Sequence, residues 1–280
     1  MTSIRCTAPA TYSPGTRSES VNARPQLEGA PNFRELFVPR MADGRKMRRG
    51  RLFRSGALTH LSEADRSALA ALGIELVFDL RTRDEQEREL NLWPAGTQPE
   101  FWNSPEARVR VAAPVFDWRS RLSDPDFDPA DARAWMLHAY TRMPGLFAGQ
   151  LSALFERLGA PRSPTTLVHC SAGKDRTGFV CAMVLFALGA GRGEVVEDYL
   201  LSGHRMSAAG LLQAMLGREM NGITTKCHAA LRVMAEVRED YLDAALLEIG
   251  RAFGGVDRYL QETCGLDAER RRRLQAQMLE

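Results

Sequence analysis

No apolar run in the 280 residues reaches membrane-spanning length. The longest candidate, residues 179–190, is about a dozen residues, which suits a buried helix and argues against stable membrane insertion. The N-terminus lacks the apolar core of a secretory leader, since Arg5 is soon followed by Thr, Pro and Ser. A cytoplasmic protein is the expectation, although export without a leader is compatible with the sequence. An excess of one charge is missing too: 37 Lys and Arg stand against 35 Asp and Glu, so no global field would draw nucleic acid. Cysteines are few, odd in number and scattered, at Cys6, Cys170, Cys181, Cys227 and Cys264. That pattern excludes a disulfide framework and zinc-finger spacing, and it suits a reducing compartment. His60, His138, His204 and His228 stand singly with no ligand spacing, so neither a metal nor another cofactor is expected. Internal repeats are absent.

What the sequence does contain is the stretch Val168-His169-Cys170-Ser171-Ala172-Gly173-Lys174-Asp175-Arg176-Thr177-Gly178. The β-branched and apolar run before it reads as a buried strand and the apolar run after it as a buried helix. A tight loop at such a junction can turn successive backbone N–H groups inward, and the first turn of the helix adds its own unpaired N–H groups. Ser171, Ala172, Gly173, Lys174, Asp175 and Arg176 thus form a candidate nest for a tetrahedral dianion. A thiol at a helix N-terminus beside Lys or Arg ionises more readily, and the thiolate is the nucleophile. Arg176 can grip two phosphoryl oxygens with its fork. Phosphoryl transfer asks mainly for positioning and charge stabilisation. The residues therefore point to a cysteine-dependent phosphatase passing through a phosphocysteine, with Cys170 and Arg176 as its catalytic pair.

His169 is expected to hold the loop and support Cys170 by hydrogen bonding. Thr177 is placed to donate its hydroxyl to the sulfur, with a local helix-start bond as the alternative. Lys174 adds charge at the rim as an attractor for phosphate. One carboxyl group must protonate the departing oxygen and later activate water. Asp79 ends a strand as Cys170 does, so the two could face one site; Asp124, Asp126 and Asp128 form a more remote acidic loop. Two other classes fit a thiolate in a nest: a rhodanese-like sulfurtransferase, whose loop is usually one residue shorter, and a phosphate-binding module without turnover.

The loop resembles the signature of the protein tyrosine phosphatase superfamily, and its Gly-Lys-Asp-Arg ending resembles the bacterial tyrosine and lipid phosphatase branch. Asn32-Phe33-Arg34-Glu35, Gly50-Arg51-Leu52-Phe53-Arg54-Ser55, Phe78-Asp79-Leu80-Arg81, Gly254-Gly255 with Tyr259-Leu260, and Gly265-Leu266 extend the likeness over nearly everything after Pro25. The resemblance implies that Asp175 is the first candidate for acid and base, with Asp79 second. The Trp-Pro-Asp loop that carries this group in many relatives is absent, because Ala95 follows Trp93-Pro94. It further implies that Lys174 engages a second acidic group, such as a phosphate on an inositol ring. The expected substrate is a phosphorylated protein or a phosphoinositide.

The fold expected is α/β: a phosphatase-like, mostly parallel central sheet flanked by helices, with C-terminal helices and a helical lid around 194–240. Residues 1–24 read as a mobile tail and 25–280 as one phosphatase domain. Ser62 should cap a helix ended by Gly73, and residues 74–80 and 109–115 read as strands. Residues 130–158 carry helical signals with a break at Pro144-Gly145. Residues 207–220 have core-like helical spacing, and helices finish the chain over 229–253, 256–263 and 268–279. The basic turn at 44–51 and the run Arg270-Arg271-Arg272-Arg273 read as solvated charge. Tyr140 and Tyr199 read as buried aromatics.

Overall fold

The computed structural model describes residues 27–103, 124, 126–205 and 224–280. The tail expected at 1–24, the strand at 109–115 and the helix at 207–220 lie outside the described residues. Among the described residues five strands form one sheet in the order β1-β2-β5-β3-β4: β1 (Arg34–Glu35), β2 (Leu52–Ser55), β3 (Leu76–Asp79), β4 (Glu100–Asn103) and β5 (Thr166–His169). Only β1 runs antiparallel, against β2; the other pairings are parallel. The sheet is mostly parallel, as the sequence pattern predicts. β4, which the sequence pattern does not announce, is an exposed edge strand.

Register explains the two apolar layers. Phe53, Leu167 and Val77 sit side by side in β2, β5 and β3 and pack with Leu69 of α1 (Glu63–Ala71) and Phe33. One residue on, Val168 and Phe78 turn to the other face, where α3 (Pro129–Leu158) and α4 (Asp175–Leu188) build the larger cluster. Side chains alternate across a strand, so a sheet covered on both faces needs apolar residues in both phases. In consequence β2 is buried throughout, its Arg54 included.

Ser62 caps α1, and Asp65 itself completes the reciprocal capping box. The expected break at Pro144 does not occur: α3 runs through it as one helix, with Pro144 buried and its carbonyl accepting from Tyr259 Oη at 2.7 Å. Packing on both flanks makes up for the lost backbone bond. Beyond α4 lie α5 (Arg192–Arg205), α6 (Thr225–Ala235), α7 (Glu239–Phe253), α8 (Val256–Arg258), a π-helical turn (Tyr259–Thr263) and α9 (Ala268–Met278).

Two readings need correction. The lid read at 194–240 does not include α5, whose Val195, Val196, Asp198 and Tyr199 are buried beneath α4, while the lid's residues 206–223 lie outside the described residues. The basic turn does keep Lys46, Arg48 and Arg49 exposed as read, although its backbone is tied to the C-terminal segment by Lys46 N–H to Glu280 O and Arg48 N–H to Met278 O. Arg271, however, is not simply solvated charge. Its guanidinium donates to Ala187 O and Phe186 O, satisfying terminal carbonyls of α4, where a cation also suits the helix dipole.

Candidate active site

Residues 170–174 connect the carboxyl end of β5 to α4, and Asp175 and Arg176 form the first turn of that helix. Their conformation is held from outside by three donors. Ser171 O accepts from Ala57 N–H at 2.9 Å, Ala172 O from Asn32 Nδ2 at 2.9 Å, and Gly173 O from Arg54 Nη2 at 3.0 Å. In a trans peptide the carbonyl and the next N–H point oppositely. Tying three successive carbonyls outward therefore turns the N–H groups of Ala172, Gly173 and Lys174 inward. Gly173 N–H accordingly lies 3.2 Å from Cys170 Sγ. The motifs at Asn32 and Arg54 thus serve the loop from a distance in sequence.

Gly173 has φ +70°, and a Cβ there would lie 2.5 Å from Gly56 N and from Ser55 C. Both atoms are backbone and cannot yield. Gly173→Ala is expected to destabilise the protein by about 2 kcal/mol or more, from left-handed strain plus overlap. Denaturant unfolding would measure it, and activity should fall further than stability because the displaced amide lines the cup.

Cys170 is 2% exposed, at the floor of the cup; Ser171, Ala172 and Asp175 keep some surface around it. Arg176 arches back over the loop. Its Nη1 donates to Glu85 Oε2 at 2.6 Å, while Nη2 donates to Glu85 Oε1 at 2.8 Å and Ser171 Oγ at 3.2 Å. Glu85, on α2 (Arg83–Arg88), also accepts from Ser171 Oγ at 2.7 Å. Burial by itself would raise the Glu85 carboxyl, but the Arg176 charge and bonds outweigh it and hold Glu85 well below the usual carboxylate range. Sequence reasoning missed Glu85. It is one acid among several on a charged helix, and only the fold carries it across to the loop.

Asp79 and Cys170 come from adjacent strands, yet the Asp79 carboxylate is 1% exposed and turned inward. It accepts from Arg81 Nε at 3.0 Å and Nη2 at 2.8 Å, accepts from Asn91 Nδ2 at 3.1 Å, and lies 3.5 Å from His169 Nε2. Burial opposes its ionisation, but His169 and the Arg81 fork hold it below the ordinary carboxylate value. Burial likewise lowers His169, whose Nδ1 lies 3.3 Å from Cys170 O.

Asp175 opens α4. Its carboxylate accepts from Lys174 Nζ at 2.7 Å and from Tyr140 Oη at 2.8 Å. Lys174 does not stand at the rim as expected: it is 2% exposed, and its ammonium also donates to Met234 O of α6 at 2.8 Å. The expected bond from Thr177 to the sulfur is not made, since Thr177 Oγ1 is buried without a hydrogen-bond partner. Of the acidic loop, Asp128 is spent capping α3 and Asp126 pairs with Lys226 at 3.4 Å.

Beneath the loop, Arg34 and Arg54 share Asp198 and Ser202 of α5. Burial, then the neighbouring Arg54 charge, lowers Arg34 to about 10. Burial pushes the Cys181 thiol up to about 11 and raises Cys227 and Cys264, as befits structural thiols. Among the described residues no group of three or more His, Cys, Asp or Glu is placed to hold a metal, and no helix is long and apolar enough to cross a membrane.

Comparison with known proteins agrees with this geometry. Residues 25–280 match the tyrosine phosphatase family. A Cupriavidus necator protein provisionally named a tyrosine-protein phosphatase is 34% identical over 236 residues, 84% of this chain and 82% of the relative. The triple specificity protein phosphatase PtpB of Mycobacterium tuberculosis is 33% identical over 262 residues, 85% of this chain and 92% of its own length. A tyrosine-protein phosphatase of Nostoc commune is 33% identical over 158 residues, 54% of this chain and 48% of its own.

Proposed function

Because the chain belongs to the tyrosine phosphatase family, we propose that it hydrolyses phosphomonoesters through a phosphocysteine formed on Cys170. The observation that carries this reading is the loop itself, with three carbonyls pulled outward and their partner N–H groups turned toward the sulfur. Those amides match the equatorial oxygens of a phosphoryl group. A guanidinium has five donors; here Glu85 takes Nη1 and Nη2 and Ser171 Oγ also takes Nη2, so these partners aim Arg176 at the loop and phosphate would share or exchange part of those bonds. These groups supply the charge stabilisation that a metal gives elsewhere, so the reaction needs no metal. Residues 25–280 act as one phosphatase domain in this reading.

In the first step the Cys170 thiolate forms the S–P bond as the ester O–P bond breaks, and Asp175 gives its proton to the leaving oxygen. In the second, water forms a new O–P bond, its proton goes to Asp175 and the thiolate leaves. Asp79 is assigned a positioning role through His169 and Arg81, since both its oxygens are already bound in the interior. Thr177 and Ser171 line the same loop, Ser171 linking Glu85 to Arg176.

Phosphotyrosine is placed first among substrates. The Mycobacterium relative is named a triple specificity phosphatase, and phosphoserine, phosphothreonine and phosphoinositides follow as further candidates. The inositol reading leaned on Lys174 reaching a second phosphate, whereas its ammonium is engaged by Asp175 and Met234 O. The sulfurtransferase and non-catalytic alternatives lose ground to the family match and to the retained Cys170 and Arg176.

A panel of phosphopeptides and phosphoinositides assayed with excess chelator tests the reading, with vanadate as inhibitor. Turnover of phosphotyrosine peptides is expected at an unchanged rate; a rate that collapses on chelation overturns metal independence. Asp175→Asn should lower kcat/KM on a poor leaving group by roughly two orders of magnitude and barely on a good one. Asp79→Asn should lower both alike. The reverse pattern would make Asp79 the acid.

A further inference from the structure

Two buried phenols stand behind Asp175 without a role in the chemistry so far. Tyr140 of α3 is 0% exposed and Tyr199 of α5 is 1% exposed. Their hydroxyls lie 2.7 Å apart, and Tyr140 Oη lies 2.8 Å from Asp175 Oδ1. The rings meet edge-on at 6.4 Å, and Tyr140 also packs on Tyr241 at 5.7 Å. Gly178 of α4 makes room for this, because a Cβ there would lie 2.9 Å from the Tyr199 ring. Space beside the loop has thus been cleared for a second hydroxyl.

Proton bookkeeping fixes the direction of the chain. An ionised carboxylate only accepts, so Tyr140 donates to Asp175 and must in turn accept from Tyr199. We propose that the Tyr199-to-Tyr140 hydroxyl chain is a positioning device for Asp175, holding Oδ1 so that Oδ2 carries the proton exchanged with the leaving oxygen and later with water. The inference rests on the reading of Asp175 as acid and base. Tyr140 can donate to Oδ1 whether or not Oδ2 is protonated, so one rotamer serves both steps. Lys174 Nζ, 2.7 Å from either oxygen, supplies charge but no such preference. Burial, then the Asp175 charge, raises both phenols well above their ordinary value, so each keeps its proton as a donor.

The test compares Tyr140→Phe, Tyr199→Phe, Asp175→Asn and the Tyr140→Phe/Asp175→Asn double variant of the full chain on phenyl phosphate and 4-nitrophenyl phosphate. kcat/KM is read because it reports the first chemical step from free enzyme and substrate. Tyr140→Phe is expected to lose about tenfold on phenyl phosphate and less than about twofold on the nitrophenyl ester, as a misdirected acid would. Tyr199→Phe, which leaves Tyr140 in place, should show the same pattern at smaller size and keeps the test open if Tyr140→Phe folds poorly. In the Asp175→Asn background, Tyr140→Phe should cost nothing more. Equal losses on both esters, or a further loss in the double variant, would mean that the tyrosines only support the fold. If Asp175→Asn itself shows no leaving-group dependence, the acid assignment fails and this inference with it; if only the tyrosine variants lack it, the acid assignment stands.

Discussion

Cys170→Ser is expected to lower kcat/KM for an aryl phosphate by roughly four orders of magnitude or more, the scale on which removal of a covalent nucleophile is felt. A serine hydroxyl holds its proton where a thiol gives it up, and its oxygen would have to leave from phosphorus in the second step. The cup is untouched by the change: Ala57, Asn32 and Arg54 still hold the three carbonyls outward, and Arg176 still arches over the loop. Binding of phosphate should survive within a few-fold while turnover disappears, and calorimetric titration beside steady-state assay would separate the two. Serine at Cys181, by contrast, should leave turnover in place, because burial keeps that thiol protonated and the three bonds that hold the loop carbonyls outward come from Ala57, Asn32 and Arg54. A Cys170→Ser protein that still turned over the ester would end the phosphocysteine reading.

The second large effect concerns stability and activity together. Glu85→Gln leaves Arg176, 10% exposed at its side chain, without the carboxylate that meets both its terminal nitrogens. Breaking one side of a buried ion pair costs several kcal/mol; with Glu85 still 23% exposed at its side chain, about 2–3 kcal/mol is expected. The sign of the pH dependence follows. The folded Glu85 carboxyl lies below its unfolded value, so its contribution is complete above about pH 4.3 and fades as pH falls through the folded value. Urea unfolding should therefore separate wild type from variant at neutral pH and bring them together in acid. A gap that persisted unchanged to low pH would mean that the pair contributes little. With the fork no longer aimed, kcat should drop on the order of a hundredfold.

The strand, loop and helix around Cys170 were legible because each is local. The apolar run of 179–188 is longer than a typical buried strand, which favours a helix, and the β-branched and apolar run of 165–168 before the loop favours a strand. The capping box at Ser62 and Asp65 was equally local. Asp79 misled for an instructive reason: strand-end placement brings a residue to the correct edge of a parallel sheet, but says nothing about which way its carboxylate turns. Arg81, two residues later, bends back and claims it. Lys174 misled similarly, since a lysine in an anion loop suggests reach toward solvent until a helix carbonyl sixty residues away proves to be its acceptor.

By itself the sequence determined the candidate nucleophile, the length of the loop and the phosphatase-like α/β class, because these depend on residue types at short fixed spacings. The tertiary structure alone decided which groups serve the loop: Glu85 on Arg176, Arg54 and Asn32 on the carbonyls, Tyr140 and Lys174 on Asp175. The physical reason is range. A backbone conformation is set by neighbours within a few residues, whereas a buried charge takes its partner from whatever chain the packing brings within about 3 Å, and no periodicity along the sequence encodes that meeting.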